Sequence, residues 1–120
     1  VKKAILAALL FCVSATGANI LTITKTPYEQ VNCSVDFGAV VGSGAIVLDS
    51  VVTTLQNGAV TKGIVATTPA PAITASTSTV VLQLVGGVAR TTYLVSVRVS
   101  NSVTGEKWDG VITLNVTAGP

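Results

Sequence analysis

The chain has 120 residues, seven Lys and Arg against five Asp and Glu, a formal net charge of +2 and only 10% charged residues, against roughly 25% in an ordinary soluble domain. So sparse and scattered a charge excludes a phosphate-backbone-binding surface, which needs clustered Lys and Arg, and a hydrophobic content of 49% excludes a disordered chain. With no histidine and two cysteines, Cys12 and Cys33, a Ser-His-Asp triad, a Cys-His pair, a zinc site and a disulfide framework are excluded as well.

Residues 1–18 read as a secretory signal peptide: Lys2 and Lys3, an apolar run from Ala4 to Val13, then the small residues Ser14 to Ala18. The apolar run is too short for a permanent membrane span. The other reading is an N-terminal extension from a misassigned start codon. Residues 19–120 form one domain.

From Asn19 onward the apolar residues recur with period two, the mark of strands with one buried face. Ile20 to Lys25 is the first strand, with Leu21 and Ile23 on one face, and Thr26-Pro27 breaks it. Glu29 to Phe37 is the second, with Val31, Cys33, Val35 and Phe37 inward. Gly38 to Gly44 turns the chain. Ala45 to Leu55 is the third strand, its facing ambiguous because Val51-Val52 breaks the alternation. Gln56-Asn57-Gly58 is a hairpin signal, and Val60 to Thr67 a short edge strand. Thr68 to Ser78 carries Pro69 and Pro71, which cannot donate to a ladder, and reads as a loop or irregular edge.

The last third alternates most cleanly. Thr79 to Val85 places Val80, Leu82 and Leu84 on one face, and Gly86-Gly87 ends it. Thr91 to Ser100 points Tyr93, Val95, Val97 and Val99 inward. Asn101 to Gly105 turns, and Lys107 to Thr117 returns with Trp108, Ile112, Leu114 and Val116 on the buried side. About seven antiparallel strands in about a hundred residues describe an all-β, immunoglobulin-like β-sandwich. Phe37, Tyr93, Trp108, Gly86 and Gly87 are the expected structural residues. Tyr93 stands where a tyrosine corner would bond back to the preceding loop.

No catalytic, cofactor or metal site is expected, and the protein is not expected to be an enzyme. Glu29, Asp36, Asp49, Glu106 and Asp109 read as solvated carboxylates, and Asp36 with Asp49 lacks the ligand spacing of a calcium loop. Val41-Gly42-Ser43-Gly44 lacks the lysine and helix of a phosphate loop. Cys33 reads as a small buried hydrophobe. Asn32-Cys33-Ser34 and Asn115-Val116-Thr117 match the glycosylation pattern but sit in strands.

Two stretches resemble small immunoglobulin-like virion proteins of tailed bacteriophages, of the fibre–tail adaptor type, and more broadly bacterial immunoglobulin-like domains. The first is Thr24-Lys25-Thr26-Pro27-Tyr28-Glu29 followed by Cys33-Ser34-Val35-Asp36-Phe37, similar to the family's Lys-x-Pro-x-Glu turn and its strand ending in Asp plus an aromatic. The second runs through Val80 to Gly87, Thr91 to Val95, Thr104-Gly105 and Ile112 to Val116. The resemblance implies a structural role in the virion, at the tail, neck or fibre attachment, with other virion proteins or further copies as partners and contacts along sheet edges and loops. The leader implies the alternative, a secreted or cell-surface module for adhesion or filament assembly.

Overall fold

The computed structural model describes residues 20–38, 46–74 and 78–118; the leader, Cys12 and residues 39–44 of the Gly-rich turn lie outside them. Eight strands follow in chain order: β1 (Ile20–Lys25), β2 (Val31–Asp36), β3 (Ile46–Leu55), β4 (Val60–Thr61), β5 (Ala72–Thr74), β6 (Thr79–Leu84), β7 (Thr91–Asn101) and β8 (Lys107–Val116). They form a five-stranded sheet, β1-β8-β7-β3-β4, and a three-stranded sheet, β2-β6-β5. The chain changes sheet after β1, β2, β4 and β6, which makes an immunoglobulin-like sandwich.

The alternating residues of both sheets meet in one core. Val80, Leu84, Val95, Val97, Val99, Ile112 and Leu114 are fully buried, with Leu21, Ile23, Cys33, Val35, Leu82 and Val116 nearly so. Phe37 closes the core just past the end of β2, its N–H donating to the Ser78 carbonyl at 2.9 Å. Gly110 on β8 makes room for it. A Cβ there would lie 2.9 Å from Val35 Cγ1 and 3.3 Å from Phe37 Cζ.

The structure corrects or resolves the sequence reading in four places. The strands are not all antiparallel, because β1 pairs with β8 in parallel, Ile20 beside Val111 through Lys25 beside Val116. No hairpin joins these two, so nothing obliges them to run in opposite directions. The ambiguity in β3 is a β-bulge: the register with β7 shifts between Leu48 and Ser50. Asp49 is the extra residue, and it moves the inward set from Ile46 and Leu48 to Val51, Thr53 and Leu55. The edge strand expected over Val60–Thr67 is only Val60–Thr61, with an isolated bridge from Val65 to Leu84. Finally, Ala72–Thr74 pairs with β6 as a short edge strand inside the segment read as a loop or irregular edge, just after Pro71, where a proline costs no ladder bond.

Candidate functional site

One end of the sandwich gathers three of the residues singled out in the sequence, Tyr93, Gly86 and Gly87, while Phe37 and Trp108 lie toward the other. Tyr93 opens β7 with its ring in the core, 4% exposed, and its hydroxyl accepts the Val88 N–H at 2.9 Å. This is the geometry of a tyrosine corner. Gly86 and Gly87 shape the loop that carries Val88, with φ of 58° and 97°. At Gly87 a Cβ would also stand 2.8 Å from Val116 Cγ2, so the loop needs glycine there twice over. Tyr93→Phe is expected to cost about 1 kcal/mol in urea unfolding, since the exposed Val88 can return its N–H to water.

Lys25 ties this loop to the first turn. It follows Leu21 and Ile23 on the inward face of β1 and is only 1% exposed. Its ammonium donates to the Thr26 carbonyl at 2.7 Å and to the Gly86 carbonyl. The turn it serves is closed by Glu29, whose N–H donates to the Thr26 carbonyl at 3.2 Å while its carboxylate accepts the Thr26 N–H at 2.8 Å. Burial pushes the Lys25 ammonium below the ordinary lysine range, and the nearby Glu29 carboxylate opposes part of that shift. The Lys-x-Pro-x-Glu turn and the Gly-Gly loop, sixty residues apart in sequence (61 between Lys25 and Gly86), are therefore bonded together.

The opposite end carries most of the charge. A shallow groove of about 410 Å³ is lined by Asp49, Arg98, Val99, Lys107, Trp108 and Asp109. Trp108 is half-buried at the margin of the core. Arg98 Nε lies 3.6 Å from Asp109 Oδ2, with the two side chains 57% and 45% exposed; a pair this open to solvent contributes little. Asp49 Oδ1 accepts from the Ser100 hydroxyl at 3.0 Å. The remaining carboxylates serve local turns: Asp36 accepts the Gly38 N–H at 2.7 Å, and Glu106 accepts from the Thr104 hydroxyl at 3.2 Å. Asp49 shares the groove with Asp109, Asp36 lies outside its lining, and the described residues hold no cluster of three or more metal-ligating side chains.

On the outer face of the five-stranded sheet, two rows next to the one that holds Arg98 and Asp109 carry no charge. One reads Val60, Thr54, Leu94, Thr113 and Thr22, and the other Val52, Ser96 and Val111. Asn32, in the first glycosylation match, accepts from Gln83 Nε2 at 3.1 Å, and Asn115, in the second, accepts from the Thr92 hydroxyl at 2.9 Å.

Cys33 lies on the inward face of β2, 4% exposed and unpaired in any disulfide, and burial pushes its thiol up to about 12. The sign of the consequence follows. The unfolded chain ionises this thiol from about pH 8.5, whereas the folded chain holds the proton, so stability is lost as pH rises above that value. By pH 10.5 the loss should reach about 2–3 kcal/mol. In urea unfolding from pH 8 to 10.5, the stability of the native protein relative to Cys33→Ala should fall by this amount.

Sequence reasoning missed two residues that organise these surfaces. Asn101, 2% exposed, accepts the N–H groups of Val103 and Thr104 at 2.8 and 3.1 Å and so fixes the β7–β8 turn. Gly110 was passed over because a missing side chain leaves no mark in an apolar pattern, although it falls on the inward phase between Trp108 and Ile112.

No family model matches the chain, and no curated protein matches it. Among solved structures it is similar to the M4 domain of titin in a trigonal crystal form, at 12% identity over 88% of this chain and 98% of that one, with a TM-score of 0.44. The class of the protein, an immunoglobulin-like sandwich, stands on its own strand order and register.

Proposed function

We propose that the chain is a non-catalytic structural protein of a tailed-bacteriophage particle, an adaptor or accessory component at the tail, neck or fibre attachment. It joins other virion proteins, or further copies of itself, through sheet edges and loops, with no cofactor and no nucleic acid. The observation that carries this reading is the bond from Lys25 to the Gly86 carbonyl, beside the Tyr93–Val88 bond. It makes one structural unit of the two stretches that resemble the phage proteins. The two charge-free rows of the outer face support the same reading, because such a surface is served by being covered in an assembly.

A second reading, a secreted or cell-surface module for adhesion or filament assembly, is favoured by the leader-like pattern of residues 1–18. A nonsense mutation in the gene, within a phage that carries it, separates the two. The virion reading expects particles that lack tail or fibre parts and regain infectivity when purified protein is added. Complete, infectious particles would reject it.

A further inference from the structure

We infer that β2 is a strand-addition edge for a second copy of this chain, the two β2 strands pairing antiparallel about a two-fold axis through Cys33. The inference rests on the assembly reading above and names its surface and its partner. Among the described residues the two sheets end on four strands, β1 and β4 in one and β2 and β5 in the other. Natural sheets blunt such edges by shortening them, by proline, by bulges or by charge. Here β4 has two residues, and β5 has three and follows Pro69 and Pro71. β1 has six, but its inward row of Leu21, Ile23 and Lys25 would set Leu21 against a buried ammonium if it paired about its middle.

β2 carries only one of these devices, the charge of Asp36 at its last position. Its six residues pair with β6 in unbroken register and carry no proline, lysine or bulge. Its chemistry is also self-complementary. In an antiparallel pair, opposed residues share a face, so a two-fold axis at Cys33 sets Val31 against the partner's Val35 and Asn32 against the partner's Ser34. Cys33 meets its own copy. The inward row is then apolar throughout and the outward row polar and uncharged. Asp36 falls opposite the partner's Gln30, a carboxylate facing an amide, so the two carboxylates stay at opposite ends of the ladder. The result is a continuous sheet, β5-β6-β2 joined to the partner's β2-β6-β5, with a symmetry that closes on itself.

Sedimentation of the full chain over a range of concentrations tests this. A reversible dimer is expected. Asn32→Lys with Ser34→Lys should raise its dissociation constant at least a hundredfold, because both side chains point outward and each lysine would face another across the ladder. Thr22→Lys with Thr24→Lys, on the exposed face of β1, should leave it unchanged. Register is read separately in a Cys12→Ser, Cys33→Ala background. Mild oxidation of mixed Asn32→Cys and Ser34→Cys proteins should give crosslinked heterodimers well above the homodimers of either alone. A chain that stays monomeric at every concentration, a dimer indifferent to the β2 lysines, or crosslinks without that preference would overturn the inference. A monomer still found in phage particles would sink this edge and leave the assembly reading standing; a β2-paired dimer absent from particles would do the reverse.

Discussion

Replacing Phe37 with alanine is expected to cost the fold about 4 kcal/mol. The ring is wholly buried where β2 ends, and it fills space left open by Gly110 on the opposing sheet. Little can collapse into the vacancy, because the neighbouring backbone is held by the Phe37–Ser78 bond on one side and by the β7–β8 ladder on the other. Gly110→Ala alone should cost about 2 kcal/mol by overpacking, since its methyl would press Val35 at 2.9 Å. The two changes are coupled: in the double variant the new methyl enters the space the ring has left. Its loss should fall short of the sum of the single losses by at least 1 kcal/mol. Chemical denaturation of the four proteins measures this directly, and simple additivity would show that Phe37 and Gly110 do not share one packing site.

Lys25→Met should be the most damaging substitution of a charged residue, at about 2–3 kcal/mol. Methionine keeps most of the apolar stem, so the loss isolates the ammonium. Without it the Gly86 carbonyl loses the donor that holds the β6–β7 loop against the first turn, and the Thr26 carbonyl keeps only the Glu29 N–H. The pH dependence has a defined sign. Because the folded ammonium gives up its proton more readily than the unfolded one, this group's contribution to stability rises as pH climbs through the folded pKa toward the ordinary lysine range. Cys33 acts in the opposite direction but is present in both proteins and cancels in the comparison. The advantage of the native protein over Lys25→Met should therefore widen between pH 8 and 10.5; a narrowing would mean that the ammonium is not desolvated.

Strand positions were legible wherever one face is buried and the other wet, as in β7 and β8, because period two then appears in full. What hid the rest was local geometry. The bulge at Asp49 splices two alternating patterns of opposite phase, and a linear reading sees only a fault at Val51-Val52. β5 is three residues among prolines, and its ladder depends on β6 rather than on any pattern of its own. The parallel pairing of β1 with β8 is a long-range choice that periodicity does not encode. Lys25 was within reach, since it shares the phase of Leu21 and Ile23. A lysine on that phase is normally assigned to solvent, and its burial depends on a carbonyl 61 residues away.

The claim that matters most is that this sandwich works as a component of a particle. Mass spectrometry of purified phage particles, with the chain quantified against the major tail and capsid proteins, addresses it most directly. The account expects the protein in the particle at a fixed ratio that is a multiple of the tail symmetry, and absent from the particle-free medium. Protein found free in the medium or on the cell surface, with none in the particles, would contradict it.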